Sequence, residues 1–347
     1  MKPILVIGAG PAGLEAAKGA ADLGQKVVLV EMRDKVGGNP IHNSYSVFTP
    51  HQIDAETAMA ELIHPVKNHK NIELKLSTQV VSVEGDAPNL KVTLKGPQGE
   101  ETLDAGAAIV ATGFEHFDPG RETQVYGYYE YDDVITLLDA EKMLKAKKFQ
   151  RVSDGKPPKN VCFIQCVGSR DRQIGNQWCS KVCCGIASQQ AIEIKELLPQ
   201  AKVFVFYIDL RAYGFWEDMV YWKAQEEKKV NFIRGIVTEI TMRGDQLVVK
   251  GEDTTLGRPM EVPMDMVILS VGMEPSPGTR EMSKLFKLPL EGHGWLATQG
   301  QSPLNTVVTQ RPGVFVAGAA TGPADLEDAV SRGSSAALKA VTFVGRG

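Results

Sequence analysis

The sequence predicts an α/β protein of two nested Rossmann-like (doubly wound) domains, and three observations carry that expectation. Apolar runs of strand length precede glycine-rich or irregular turns, helical stretches follow those turns, and this unit occurs twice, the second time inside the first. The first unit is Ile4-Leu5-Val6-Ile7, then Gly8-Ala9-Gly10-Pro11-Ala12-Gly13, then an Ala-rich helix over residues 14–23 stopped by Gly24. A second apolar strand over 27–30 follows and ends in Glu31. Residues 74–94 alternate and turn at Gly85-Asp86, as an antiparallel excursion does. A buried strand over 107–111 closes with Thr112-Gly113.

The second unit begins after Gly155-Lys156-Pro157-Pro158, with a strand over 161–165, a helix over 184–198 and a strand over 202–209. Strands at 247–249 and 264–271 continue it. A strand at 314–317 and a long helix over 325–344, with Gly333 inside, end the chain. The expected division is therefore residues 1–118 and 288–347 for one domain and 119–287 for the inserted one, with no tandem repeat.

The chain has 347 residues, 43% of them hydrophobic and 23% charged, with a net charge of −4. That balance is globular and gives no basis for binding nucleic acid or an anionic membrane. No apolar run reaches the ~18 residues of a spanning helix. The first strand starts at Ile4, leaving no room before it for a secretory signal, so a cytoplasmic location is expected. Thiols stay reduced there, and clustered cysteines read as metal ligands or catalytic groups rather than as a disulfide framework.

Gly8, Gly10 and Gly13 have separate tasks. The first permits the tight strand-to-helix turn, the second leaves room for a pyrophosphate, and the third lets helix and strand approach closely. Helix N-terminal N–H groups, from Ala12 onward after Pro11, then face the diphosphate. Glu31, eighteen residues beyond Gly13, is positioned for ribose hydroxyls.

The inserted unit departs from this plan. Its strand is followed not by glycines but by Cys166-Val167-Gly168-Ser169-Arg170, a polar excursion, and Cys179-Ser180-Lys181-Val182-Cys183-Cys184-Gly185. Four of the five cysteines fall within nineteen residues. Without the glycines a second pyrophosphate has no cradle, so NAD(P)H binding in this half is not expected. Four thiolates suit an iron–sulfur cluster. Zinc, usually held by paired Cys-x-x-Cys knuckles, and a redox pair of Cys183 with Cys184 stay open as alternatives. Cys162 lies within the strand and reads as core. Arg170 and Lys181 flank the motif and could offset its negative charge. His42, His51, His64 and His69 have no metal-helix spacing, Tyr126 to Tyr131 reads as a flavin shield, a subunit interface or a packed edge, and no Ser/His/Asp set or carboxylate pair stands out as an acid–base site.

Gly37-Gly38 after Glu31, the Ala111-Thr112-Gly113 strand end and Val314-Phe315-Val316-Ala317-Gly318 before the last helix resemble the two-dinucleotide-binding flavoproteins along the whole chain. The resemblance implies FAD, held by Gly8, Gly10, Pro11, Ala12, Gly13, Glu31, Gly37, Gly38, Asn39, Val81, Ala111, Thr112, Gly113, Gly318, Ala319, Asp328 and Ala329. Ala319 stands where that family usually has an acid, so flavin contacts there are expected from N–H groups at the start of the last helix.

Cys-Val-Gly-Ser-Arg, eight residues, then Cys-Ser-x-x-Cys-Cys-Gly, together with Ala317-Gly-Ala-Ala-Thr-Gly-Pro323, is similar to the A subunits of heterodisulfide reductases. That resemblance implies a [4Fe–4S] cluster on Cys166, Cys179, Cys183 and Cys184 and electron transfer within a larger complex. Its partners would be the B and C subunits, with a lipoate-binding protein as a further candidate, and a homodimer is expected. The chain lacks the ferredoxin-like Cys-x-x-Cys-x-x-Cys modules of the long methanogen forms, and residues 39–48 carry none of their loop cysteines. It resembles the short forms of bacterial sulfur-oxidation and sulfate-reduction complexes. The competing readings are a stand-alone NAD(P)H-dependent flavin disulfide reductase using Cys183 and Cys184, the quinone-interacting relative of sulfate reducers, and a zinc-braced assembly component.

Overall fold

The computed structural model describes residues 2–301 and 304–345. It divides into two compact units. One comprises Met1–His42, Glu56–Glu115 and Glu274–Gly347; the other comprises Asn43–Ala55 and His116–Met273. The chain therefore leaves the first unit near residues 116 and 273, against 118 and 287 read from the sequence. It also sends out an arm, Asn43–Ala55, that folds with the inserted unit.

The first unit is built on a five-stranded sheet in the order Val314–Val316, Ala107–Val110, Ile4–Ile7, Val27–Val30, Ile72–Lys75. Every neighbouring pair is parallel, with Leu5 beside Val28 and Ala108. These strands are near-continuous apolar runs because both faces of a parallel sheet are covered. The helix Pro11–Asp22 takes Pro at its first turn, where the missing N–H costs nothing. Gly24 ends it with φ +87, donating its N–H to Ala21 O at 3.0 Å. The antiparallel excursion holds three strands rather than one hairpin: Gln79–Glu84, Leu90–Gly96 and Gly99–Ala105. Its Val80, Leu90, Val92 and Leu94 pack with Leu5, Val28 and Phe286 in one core.

The last helix, Leu326–Val344, is capped by Asp325, whose carboxylate accepts the Asp328 N–H at 2.7 Å. It crosses the first helix at Gly333, where an added Cβ would stand 2.4 Å from Ala12 O. That glycine was visible in the sequence; the backbone contact that requires it was not.

The inserted unit carries a seven-stranded sheet. Its order is Val134–Thr136, Met266–Val271, Asn160–Val167, Lys202–Tyr207, Asn231–Arg243, Gln246–Asp253, Arg258–Met264. The first five are parallel and the last two turn back antiparallel. Helix Leu137–Lys145 opens with a capping box in which Thr136 and Asp139 satisfy each other's backbone N–H. Helix Cys183–Leu197 follows the cysteine excursion. A π-helix over Glu217–Glu227, unforeseen in the sequence, lies against it. Tyr126, Tyr128 and Tyr131 pack on the core formed by Phe117, Cys162, Ile164 and Val267, so this aromatic run is a packed edge.

Because a methyl at position 333 meets a carbonyl rather than a movable side chain, Gly333→Ala should lower stability by about 1–3 kcal/mol. Urea unfolding checks this, and an unchanged midpoint would show that the two helices are free to separate.

Candidate functional site

In the first unit the candidate site is built where strand Ile4–Ile7 meets its helix. Gly8 has φ +101, and a Cβ there would stand 2.5 Å from Ala111 O. Gly13 approaches Gly8 O so closely that a side chain is excluded. Glu31 is 7% exposed, and both its oxygens are in use: Oε2 accepts the Ala9 N–H at 2.8 Å and Oε1 the Arg33 N–H at 3.0 Å. Ribose hydroxyls would have to share the remaining lone pairs of this carboxylate. Gly37 N–H donates to Ala9 O at 2.8 Å, and a Cβ on Gly38 would lie 2.7 Å from Gly10 Cα. Two glycine turns thus pack backbone to backbone. Asn39 donates to Phe114 O at 3.0 Å.

Ala111-Thr112-Gly113 is anchored by residues the sequence did not single out. Ser276 Oγ donates to Thr112 O at 3.0 Å, and the Thr112 and Thr279 hydroxyls lie 2.8 Å apart. Both partners follow Pro275 in an exposed-looking stretch, which carries no pattern that marks them. Gly318 has φ +65 and comes against Ala12, where a Cβ would be 2.7 Å from the Ala12 Cβ. Ala319 is buried in the short turn after it. Arg332, also missed, donates to Gly318 O and Thr321 Oγ1, each at 3.2 Å. The Asp328 N–H and the Ala329 N–H both donate to Asp325, at 2.7 and 3.1 Å. Val81 falls at a register shift in strand Gln79–Glu84, half-buried in the three-stranded sheet.

In the inserted unit the strand Asn160–Val167 ends in left-handed backbone at Cys166 (φ +64), Gly168 (φ +72) and Arg170 (φ +60). Gly168 abuts the Phe117 ring, 2.0 Å from where a Cβ would stand, and Gly185 abuts Trp216 in the same way at 2.1 Å. The excursion is pinned from within. Asn176 Nδ2 donates to Gly168 O at 2.9 Å, Arg170 N–H to Trp178 O at 2.9 Å, and Trp178 Nε1 to Met273 O at 3.0 Å. The Ser180 hydroxyl, fully buried, accepts the Met273 N–H at 2.8 Å.

These constraints bring the four cysteines within electrostatic reach of one another. All are free thiols. Burial first, then the neighbouring Cys184, pushes the Cys166 thiol up to about 11; the Arg170 guanidinium beside it acts the other way. Burial also raises Cys183 strongly and Cys184 less, and the neighbouring thiols add to it. The sulfurs receive N–H groups: Lys181 N donates to Cys179 Sγ at 3.3 Å, and the Arg211 backbone favours the Cys184 thiolate. Arg170 is oriented by Asp209, which accepts its Nη2 at 2.7 Å, while its buried Nη1 has no partner. Lys181 instead places its ammonium over the Tyr213 ring at 5.5 Å, so of the two flanking cations it is Arg170 that faces the thiols.

Among the described residues no three His, Cys, Asp or Glu side chains are gathered as ligands of one metal ion. The histidines form no metal group either: His64 faces Asn68, and His69 lies 3.4 Å from Asp22.

A family model described as pyridine nucleotide-disulphide oxidoreductase matches residues 2–164. The chain is 31% identical to the A subunit of the H(2):CoB-CoM heterodisulfide,ferredoxin reductase of Methanothermobacter marburgensis, over 97% of this chain and 63% of that one. It is also 31% identical to the iron-sulfur A subunit of the CoB--CoM heterodisulfide reductase of Methanocaldococcus jannaschii, with the same coverage of both chains. It therefore spans somewhat less than two thirds of those relatives' length. Among solved structures, the thioredoxin reductase of T. acidophilum superposes with a TM-score of 0.67 at 20% identity, covering 98% of each chain. That of Lactococcus lactis, in its FR conformation, gives 0.66 at 21% identity over the whole of both. Both carry the same nested fold. The chain is thus similar to heterodisulfide reductase A subunits along nearly its whole length, on the fold of the two-dinucleotide-binding-domain flavoproteins.

Proposed function

We propose that the protein is the FAD- and [4Fe–4S]-containing electron-transfer subunit of a heterodisulfide-reductase-like complex. One observation carries this reading: at the turn where a nicotinamide-binding unit needs a glycine cradle, the chain has four thiols pinned within reach of one another. The first unit suits FAD. Gly8, Gly10 and Gly13 leave bare backbone for the diphosphate, and Gly37 and Gly38 bring a second backbone against it. Glu31 holds that turn and offers its spare lone pairs to the ribose. Cys166, Cys179, Cys183 and Cys184 would hold the cluster, with Arg170 as counter-charge. When both are bound, FAD supplies two-electron exchange with thiol or sulfur compounds and the cluster supplies one-electron steps. The chain's part is to hold both groups, exclude water from Cys183 and Cys184, and set the local charge.

Relatives named as heterodisulfide reductase subunits support assembly with partner subunits. We assign the B and C subunits to that role, and dissimilatory sulfur metabolism in the cytoplasm as the setting, with a homodimer as the core. No helix among the described residues is long and apolar enough to cross a membrane. A stand-alone disulfide reductase would need Cys183 or Cys184 as a nucleophile, yet both thiols are pushed up, away from the reactive thiolate.

Anaerobic purification followed by flavin, iron, sulfide and zinc assays tests the assignment. The expected result is about four iron and four sulfide per flavin, lost in Cys179→Ser while flavin stays bound. Flavin without iron after cluster reconstitution would overturn it.

In the metal-free protein Cys166 is a neutral thiol at neutral pH. Its alkylation should therefore keep rising about tenfold per pH unit toward pH 11, where an ordinary cysteine levels off near 8.5. Mass-spectrometric rate measurement checks it, and an early plateau contradicts the burial argument. Glu31→Ala strands the buried Ala9 N–H and frees the part-buried Arg33 N–H, and should cost roughly 1–3 kcal/mol with loss of flavin on gel filtration. Retention of full flavin would remove Glu31 from the site.

A further inference from the structure

Further along the helix that begins with Cys183 lies a buried polar cluster that the proposed function does not use. Ser46, on the arm Asn43–Ala55, sits between two carboxylates of the inserted unit. Its N–H donates to Glu141 Oε2 at 2.7 Å, and its hydroxyl lies 2.9 Å from Glu193 Oε2. Gln190 Nε2 donates to Glu141 Oε1 at 2.6 Å and to Leu137 O at 3.1 Å. Gln189 Nε2 reaches Glu193 Oε1 only at 3.5 Å. Gln190 is fully buried and its Oε1 has no partner. That oxygen shares an amide carbon with the nitrogen bonded to Glu141, so it too lies in the cluster, where a buried carbonyl requires a donor.

The surrounding cations are engaged elsewhere. On the π-helix, Lys228 pairs with Glu196 at 2.8 Å and Lys223 donates to Gln52 at 3.3 Å. Lys195 is turned to Pro199 O and Ala201 O. Glu196 adds negative charge from the helix itself. From the arm comes Tyr45, its hydroxyl 3.4 Å from His116, whose imidazole burial holds in the neutral form. Two anions on one serine without a counter-charge repel, so one of them carries a proton. The donors decide which. Glu141 accepts two short N–H bonds, which suit only an acceptor. Glu193 faces a hydroxyl, which can either donate or accept, and a long amide contact.

We propose that Glu141 and Glu193 form a one-proton binding site, with the proton on Glu193, and that this proton clasps the arm Asn43–Ala55 through Ser46. Nothing in this proposal depends on flavin or cluster. Burial, with Glu141 contributing, raises Glu193 from 4.5 to about 7 in the clasped state, against the Ser46 hydroxyl bond, which on its own favours the ionised form. A raised value means that the folded state binds the proton more tightly. The clasp is therefore complete below about pH 4.5, weakens about tenfold per pH unit up to about 7, and loses nothing further above that.

Hydrogen exchange of the full chain, followed in peptides covering residues 43–55 and corrected for the intrinsic pH dependence, reads the clasp directly. Protection in the wild type should fall about tenfold per unit between about pH 5 and about pH 7 and then level. Glu193→Gln, a neutral isostere, should give a flat profile. Glu141→Gln removes the repelling anion and should move the levelling point to lower pH. Ser46→Ala keeps the N–H bond to Glu141 but loses the hydroxyl contact to Glu193, and should lower protection and flatten its pH dependence. An infrared carboxylic-acid band that disappears as pH rises through about 7 in the wild type, and is absent from Glu193→Gln, gives an independent reading. The proposal fails if Glu193→Gln keeps the wild-type slope, or if that band is missing from the wild type at pH 5.

Discussion

The dinucleotide site of the first unit depends on one buried carboxylate. Glu31 accepts the N–H of Ala9, inside the glycine turn, and that of Arg33, beyond its own strand. Bonds to a charged acceptor contribute about 1.5–3 kcal/mol each, and without the first of them the Ala9 N–H would be buried and unmet. Once Ala9 is fixed, its carbonyl accepts the Gly37 N–H and the second glycine turn settles against Gly10. The bare backbone offered to a diphosphate is thus held open by an acid that also borders the place for the ribose. Its double duty explains why it sits at a strand end, the one point where both turns are in reach.

The inserted unit solves a different electrostatic problem with the same topology. A pyrophosphate needs free N–H groups at a helix start, whereas the helix Cys183–Leu197 presents two thiols there. Burial and mutual proximity favour the protonated thiols, which weakens them as nucleophiles. Arg170 fits the same logic. It is held by Asp209 and faces Cys166, with one guanidinium nitrogen left unpartnered. Under the proposed function that nitrogen is available to the cluster's sulfur. Left-handed backbone at Cys166, Arg170 and Lys181 is conformational strain that the bonds from Asn176, Trp178 and Ser180 hold in place.

The strand, glycine turn, helix and second strand at the start of the chain were legible in the sequence because the physics that sets them acts within a few residues. What escaped was contact between distant segments. Ser276 and Thr279 steady Thr112, and Arg332 steadies Gly318, through hydroxyl and guanidinium contacts that any solvent-facing polar residue could make. The cap of the last helix escaped in the same way: Asp325 accepts the N–H groups of both Asp328 and Ala329. The π-helix Glu217–Glu227 has no apolar periodicity of its own, so its packing against helix Cys183–Leu197 decides its form.

That helix also explains why a carboxylate pair escaped a reading that looked for one. Glu141 and Glu193 belong to different helices and meet only through Ser46, on an arm that enters from the other unit's chain. Along helix Cys183–Leu197, Gln189, Gln190 and Glu193 occupy positions that a helix covered on both sides would normally fill with aliphatic residues. Buried polar groups cost stability unless satisfied, so their presence is a cost that plain packing does not explain. One helix therefore carries two thiols at its start and, about two to three turns on, one member of the proposed proton-holding pair, Glu193, so both features are set by how this helix packs.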